Sequence, residues 1–179
     1  MKDQNFSLRP FPPADSLPAI KITGNIARRS NEFTIRYAIH GQLTELVIPR
    51  PTDIPARRNG LWEETCFEFF LAVKDSPGYW EFNLSPAGHW NVYRFAAYRQ
   101  GIQEEMAFTS LSFRVQKESD SLRLALELDL DKIVQTDQIL EVAISVVIKP
   151  KKNELTYWAL THCGPQPDFH RRDSFIVEL

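Results

Sequence analysis

The sequence has few cysteines and no long apolar run, and both shortages limit what the chain can be. Cys66 and Cys163 lie far apart, and residues 1–13 lack the apolar stretch and cleavage site of an export signal. Cysteines in such a chain are normally reduced, so no disulfide is expected. No stretch of about 18 apolar residues is present, which argues against a transmembrane helix. We therefore expect a cytoplasmic protein without a membrane partner.

A strong charge of either sign is also absent. The formal net charge is −2, so electrostatics gives no reason to expect nucleic acid or an anionic membrane as a partner. The chain also lacks an internal repeat, a low-complexity tract and a Gly-rich phosphate loop. With 179 residues of ordinary globular composition, it is predicted to form one domain.

What the sequence does have is aromatic residues, 12% of the chain, and apolar side chains at alternate positions. The alternation is clearest over 33–39, 122–130 and 140–148, and it predicts strands with one face on a core. Shorter candidate strands cover 19–26, 43–48, 66–73, 79–85, 90–98, 108–116, 155–160 and 174–178. Only residues 131–134 suggest a helical turn. The pattern is typical of an all-β fold, a two-sheet antiparallel β-sandwich of about ten strands with little helix.

Four prolines lie within the first 18 residues, at positions 10, 12, 13 and 18. Proline interrupts helices and central strands, so residues 1–18 are predicted to form an extended arm on the domain surface. Residues 19–179 are predicted to form a single β-sandwich that binds a ligand.

Glu68 is the first polar residue that breaks the alternation. Phe67, Phe69 and Leu71 predict a core face, whereas Glu68 shares the other face of the strand with Phe70 and small residues. A carboxylate among apolar and small side chains is typical of a pocket lining, where it accepts hydrogen bonds from hydroxyls. The alternative is an ion pair with Arg or Lys on the neighbouring strand.

The next strand repeats the pattern. Trp80 and Phe82 predict its core face, while Glu81 and Asn83 lie on the other. If this strand pairs with 66–73, then Glu68, Glu81 and Asn83 share one face of the sheet.

Three segments carry a family resemblance. Residues 61–71 (LWEETCFEFFL) and 79–88 (YWEFNLSPAG), together with 167–175 (PDFHRRDSF), resemble the DOMON-like superfamily and within it the family 9 carbohydrate-binding modules. The resemblance implies a jelly-roll-like two-sheet sandwich. It also implies a small-molecule partner, a saccharide or a sugar-containing metabolite.

The resemblance further implies particular site residues. Modules of this family hold a terminal sugar between two tryptophans, with charged side chains on its hydroxyls. The first tryptophan corresponds to Trp62 and the glutamate to Glu68, whereas the family's arginine corresponds to Asn83 and its second tryptophan to Phe169. Arg94, Lys149, Arg171 and Arg172 are candidates to replace the missing arginine, and Glu81 is a further candidate contact.

Cofactor chemistry has little support in the sequence. His162, Cys163 and His170 match no compact zinc pattern, and no second cysteine lies nearby. Haem ligation, which some DOMON domains use, would have to rely on Met106, in a loop-like stretch, or Met1. We expect neither haem, nor a divalent cation, nor any other cofactor.

Three functions remain open. We expect a non-catalytic module that binds a small polar ligand in an aromatic-lined site. The first alternative is a small enzyme that uses the same cavity with Glu68 or Glu81 as a general base. The second is a protein-interaction sandwich that docks through an aromatic patch formed by Trp90, Tyr93 and Tyr98.

Overall fold

The computed structural model describes residues 2–12, 17–152 and 154–179, and all its regular structure apart from short 3₁₀ turns is β-strand. Two antiparallel sheets pack face to face, as the alternating pattern predicts. Among the described residues, no helix is long and apolar enough to span a membrane.

The smaller sheet has five strands in the order β1-β3-β4-β10-β9. Its members are β1 (Lys2–Ser7), β3 (Ile20–Arg29), β4 (Glu32–Gly41), β9 (Phe113–Lys117) and β10 (Ser121–Asp129). The central pairs are long, since β4 is in register with β10 over the whole of 32–40.

The larger sheet has the order β2-β12-β11-β5-β6-β7-β8, and β13 also pairs with β11. Its members are β2 (Arg9–Pro10), β5 (Cys66–Val73), β6 (Tyr79–Leu84), β7 (Trp90–Phe95), β8 (Gln103–Glu104), β11 (Leu140–Ile148), β12 (Thr156–Ala159) and β13 (Val177–Glu178). Strands β11, β5, β6 and β7 form its centre, and β5, β6 and β7 each carry three aromatic residues.

The core between the sheets is built from alternate residues of both. Phe69 stacks on Phe33 of the opposite sheet at 5.1 Å and on Phe82 of the neighbouring strand at 4.4 Å. The buried hydroxyl of Tyr37 donates to the backbone oxygen of Glu68 at 2.8 Å. This hydrogen bond joins β4 to β5, so it fixes the strand that carries Glu68 against the opposite sheet.

Several predicted elements differ from the observed ones. Residues 43–48 do not form a strand: Leu43–Glu45 is a 3₁₀ turn, which buries Leu43 and Leu46 three positions apart. The strand predicted over 108–116 begins only at Phe113, and 131–134 is a hydrogen-bonded turn.

The predicted arm also differs from the structure. Residues 2–10 are extended, but they form β1 and β2 at the edges of the two sheets, and Phe6 and Leu8 lie in the core. Pro10 is tolerated because β2 is an edge strand, where a missing N–H costs little. Residues 1 and 13–16 of the predicted arm lie outside the described residues.

Candidate functional site

A row of polar side chains crosses the outer face of the larger sheet. Ser145, Glu68, Asn83 and Asn91 lie directly opposite one another on β11, β5, β6 and β7. All four are buried. Their burial is unusual, because polar residues on the outer face of a sandwich normally contact water.

A second row of side chains lies on the same face, two residues along each strand. Here Phe70, Glu81 and Tyr93 are neighbours on β5, β6 and β7. Asn83 Nδ2 donates to Glu81 Oε1 at 2.8 Å and so links the two rows. Glu68, Glu81 and Asn83 therefore share a face, as the alternation predicts.

A turn before β5 places Trp62 above these rows. Gly60 has φ +71°, a left-handed conformation that a residue with a side chain rarely adopts, and it starts the 3₁₀ turn Leu61–Glu63. The preceding Asn59 is held by hydrogen bonds from Asn91 and Tyr93, each at 2.8 Å. Trp62 packs edge-on to Tyr93 at 6.0 Å and remains 41% exposed.

The C-terminal segment between β12 and β13 covers the other side of the face. His170 packs edge-on against Phe70 at 5.2 Å and against Phe95 at 5.0 Å, and its Nδ1 lies 2.9 Å from the Tyr79 hydroxyl. Asp168 fastens the same segment, because its Oδ1 accepts from the Arg99 guanidinium at 2.9 Å.

Together these elements enclose an open cavity of about 480 Å³. Its walls are mainly aromatic and its floor is acidic. The aromatic walls are Trp62, Tyr93, Phe95, Tyr157 and Phe169, and the floor includes Glu68 and Glu81. A cavity of this size lies within the range of small-molecule sites, roughly 300–1,000 Å³.

Burial changes the acidity of the floor. The pKa of Glu68 is raised well above its ordinary value by burial, and the nearby Glu81 carboxylate raises it further. Burial also raises the pKa of Glu81 to about 7, against the opposing effects of the Asn83 hydrogen bond and Arg99.

The pKa of His170, beside the floor, is shifted in the opposite direction. Burial and then the nearby Arg99 charge lower the pKa of His170 to about 4. Its Nε2 lies 3.7 Å from Glu81 Oε2. His170 is therefore neutral at pH 7 and supplies no positive charge to Glu81.

The floor also contains polar atoms without partners. Glu68 Oε1, Asn83 Oδ1 and Ser145 Oγ are buried without a well-formed hydrogen bond, although Cys66 and Ser145 lie close enough to Glu68 to oppose part of the rise in its pKa. Leaving such atoms unsatisfied costs about 1–3 kcal/mol each, so their presence in one row calls for an external partner.

Among the comparisons with known proteins, a match to one solved structure supports the fold. Neither a family model nor a curated protein matches the chain. A solved structure from Bacteroides uniformis ATCC 8492, named "a putative carbohydrate-binding protein", matches with a TM-score of 0.74 and 14% identity over 96% of this chain and 83% of that one. The chain therefore shares its sandwich fold with that protein.

Two family 9 carbohydrate-binding module structures from Caldicellulosiruptor kristjanssonii also match, each at 11% identity over 80% of this chain. The complex with glucose has a TM-score of 0.47 and is covered over 69% of its length. The complex with cellotriose has a TM-score of 0.43 and is covered over 67%.

The structure brings five of the nine candidate site residues together. Trp62, Glu68, Glu81 and Phe169 line the cavity, and Asn83 lies beneath it. The ion pair considered for Glu68 does not form, because its direct neighbours across the strands are Ser145 and Asn83.

The four basic candidates lie elsewhere. Arg94 is on the opposite face of β7 and donates to Gln103 at 2.9 Å. Lys149 pairs with Glu64 at 3.3 Å, and Arg171 pairs with Asp173 at 2.6 Å. None of them contributes to the cavity lining. Arg172, the fourth basic candidate, bonds to Glu141.

The structure also places the side chains considered for metal or haem. No group of three or more His, Cys, Asp or Glu suited to a metal ion occurs within residues 2–12, 17–152 and 154–179. His162 bonds through Nε2 to the Arg9 backbone oxygen at 2.9 Å, and Met106 is 72% exposed. Both cysteines are free, as the sequence predicts.

The aromatic patch considered for protein docking does not form. Trp90 and Tyr93 are buried, at 3% and 6% exposure, and of the three residues only Tyr98 is exposed. Trp90 belongs to the core between the sheets, whereas Tyr93 faces the cavity. Trp90 and Tyr93 are three positions apart in β7, and residues an odd number of positions apart in a strand face opposite sides of the sheet.

Some cavity residues were missed by the sequence reasoning. Arg99 has φ +52° in the loop after β7, and its cavity position depends on Asp168, 69 residues away. Tyr157 reaches the cavity from β12 and packs against Phe169 at 6.1 Å. Tyr93 was detectable in principle, because Val92 and Tyr93 must face opposite ways once Val92 is assigned to the core.

Proposed function

We propose that this protein is a saccharide-binding module of the DOMON-like kind, related to the family 9 carbohydrate-binding modules, and that it binds without catalysis. The carrying observation is one cavity with aromatic walls above a buried polar floor. A sugar has the same two-sided character, since its C–H faces pack on aromatic rings while its hydroxyls need donors and acceptors. The carbohydrate-binding names of the structural neighbours agree with this proposal.

Each part of the cavity has a role in this proposal. Trp62 and Phe169 supply ring faces from opposite segments of the chain, the turn before β5 and the segment after β12. Glu68 and Asn83 lie beneath the sugar and accept its hydroxyls through Glu68 Oε1 and Asn83 Oδ1, which lack partners in the protein. Tyr93, held by Asn59, orients the edge of the ring.

One observation favours a second candidate, a small enzyme that uses Glu81 as a general base. A carboxylate with a pKa of about 7 is suited to proton transfer near neutral pH. In that case turnover of a sugar substrate would be observed, and Glu81→Gln would abolish it while ligand binding persisted.

The experiment that tests the binding proposal is a thermal-shift screen against neutral monosaccharides, disaccharides and sugar nucleotides. A ligand at about 100 times its Kd stabilises the folded state by roughly 2.7 kcal/mol. For a chain of this size, the expected rise in Tm is roughly 5–10 °C. The shift should disappear in Trp62→Ala and persist in Met106→Ala, which removes an exposed apolar side chain outside the cavity lining.

Failure of the proposal would also be visible. If no saccharide raises Tm, or if Trp62→Ala keeps the full shift, the cavity is not a saccharide site. Because Trp62 is 41% exposed, the variant should unfold cooperatively at nearly the wild-type temperature. A lost shift therefore reports binding and not misfolding.

A further inference from the structure

The acidic floor of the cavity lacks a balancing cation. Glu68 and Glu81 both line the cavity, and within the described chain neither is within 4.0 Å of a Lys or Arg side-chain nitrogen. The one arginine in the lining, Arg99, is bonded to Asp168 at 2.9 Å. His170, 3.7 Å from Glu81, is the remaining basic group there. The cavity is therefore an acidic site that contains no free protein cation.

Two acceptor atoms of this floor also lack a hydrogen-bond donor. Glu68 Oε1 and Asn83 Oδ1 are buried without a hydrogen bond, and the two residues are direct cross-strand neighbours. One N–H of Asn83 Nδ2 donates to Glu81 Oε1 at 2.8 Å, and no hydrogen bond joins this amide to Glu68. A ligand that satisfies this floor must bring several donors at one point.

Building on the proposed saccharide function, we propose that the ligand is an amine-bearing saccharide whose ammonium group lies against Glu68 and Glu81 while its ring packs between Trp62 and Phe169. An ammonium carries three N–H donors, whereas a sugar hydroxyl carries one. Three donors match Glu68, Glu81 and the free oxygen of Asn83. Its positive charge also offsets one of the two carboxylate charges.

A metal ion fits this floor less well than an ammonium group. Calcium takes six to eight oxygen ligands, and no cluster of three or more His, Cys, Asp or Glu suited to a metal occurs in the described part of the chain. The aromatic walls also have no role toward a small hydrated metal ion. Toward an organic cation they do, because aromatic faces attract ammonium groups and pack on sugar rings.

Binding of a cation here must be linked to protons. Burial raises the pKa of both Glu68 and Glu81, so part of the floor is protonated in the free protein near neutral pH. An ammonium group favours the ionised carboxylates and expels those protons. The other titratable groups around the pair are Tyr37 on β4, Cys66 on β5, Tyr79 on β6, Tyr93 on β7, Arg99 after β7 and His170.

The test is isothermal titration calorimetry on the whole chain with glucosamine, glucose and N-acetylglucosamine, and with galactosamine and galactose as a second matched set. We expect an amino sugar to bind at least tenfold more tightly than its neutral counterparts. The titration is repeated in two buffers of different ionisation enthalpy. A buffer-dependent enthalpy should then report proton release for the amino sugar and little for the neutral sugar.

Three variants locate the effect. Glu68→Gln and Glu81→Gln each remove one charge with little change in shape and should bring the amino-sugar preference close to one. Glu127→Gln makes the same change on the exposed face of the smaller sheet and should leave the preference unchanged. If one floor variant fails to fold, the other and the wild-type proton release still decide the question.

The outcomes separate this inference from the proposed function. Equal affinity for amino and neutral sugars, or a preference unaffected by both floor variants, overturns the amine inference and leaves saccharide binding in place. No binding of any sugar overturns both. Tight binding of the amino sugar with proton release, lost in the floor variants, supports both.

Discussion

Glu68 and Asn83 face each other across β5 and β6, and each keeps a buried oxygen without a hydrogen-bond partner. Two unsatisfied acceptors on adjacent strands are costly, and a fold that only needed stability would do better with apolar residues there. The Tyr37 hydroxyl nevertheless fixes the backbone of Glu68 from the opposite sheet. We infer that the pair is maintained for a ligand, and the cavity above it is the place for one.

The acidity of Glu81 predicts a pH-dependent stability difference. Its pKa is raised from an ordinary 4.5 to about 7, so the folded state holds the proton more tightly than the unfolded state. Its contribution is fully present below about pH 4.5 and is lost as the pH rises through 7. Relative to wild type, Glu81→Gln should therefore gain about 3 kcal/mol of unfolding free energy between pH 4.5 and pH 7. Urea denaturation at both pH values measures it, and Glu127→Gln should show no such gain.

The lowered pKa of His170 predicts a pH dependence of stability opposite in sign to that of Glu81. Its pKa is lowered from 6.5 to about 4, so the folded state holds the proton less tightly than the unfolded state. Its contribution is present above about pH 6.5 and is lost as the pH falls through 4. Relative to wild type, His170→Gln should lose stability as the pH rises over this window, by about 3 kcal/mol in total. A constant difference across the pH range would show that His170 is not titrating as the geometry requires.

Tyr37 predicts a local contribution to stability. Its buried hydroxyl donates to the Glu68 backbone oxygen at 2.8 Å, across the interface between the sheets. Tyr37→Phe should lower the unfolding free energy by about 1 kcal/mol, the usual net value of one such hydrogen bond. Tyr157→Phe is the control, since the Tyr157 hydroxyl makes no hydrogen bond to any residue that the structure describes. Equal effects of the two changes in chemical denaturation would contradict this role.

Phe169 predicts a loss of affinity with a preserved fold. It lines the cavity, contacts Tyr157 at 6.1 Å and packs against the buried outer-face cluster that includes Phe70 and Phe175. Phe169→Ala should weaken saccharide binding about tenfold, since an aromatic contact contributes about 0.5–1.5 kcal/mol beyond its buried area. Calorimetric titration of a sugar from the thermal-shift screen measures this. Unchanged affinity would remove Phe169 from the site.

The fold was predictable wherever one face of a strand is apolar. Residues 122–130 and 140–148 carry apolar side chains at alternate positions, and these are buried in long strands apart from the half-buried Leu128. The interval 43–48 misled the prediction, because Leu43 and Leu46 are buried by a 3₁₀ turn and not by a pleat. Alternation identifies a buried face only if the backbone is extended.

The site was predictable only where it follows strand parity. Glu68, Glu81 and Asn83 are assigned to one face by counting alternate residues and pairing two strands. Arg99 and His170 lie on loops, and their positions depend on contacts with Asp168 and Tyr79 that no local pattern encodes. The prediction for Arg94 was wrong for the same reason. Asn83 stands where the family has an arginine, but this replacement does not specify which other residue reaches the cavity.

The central claim is that the cavity beneath Trp62 binds a saccharide over the floor formed by Glu68 and Asn83. Calorimetric titration of mono- and disaccharides into the wild-type chain, Trp62→Ala and Asn83→Ala tests it most directly. We predict saturable binding with one site per chain in wild type, and loss of at least tenfold in affinity in each variant. Saturable binding that both variants retain at full affinity would place the ligand elsewhere, and no binding of any sugar by wild type would contradict the claim itself.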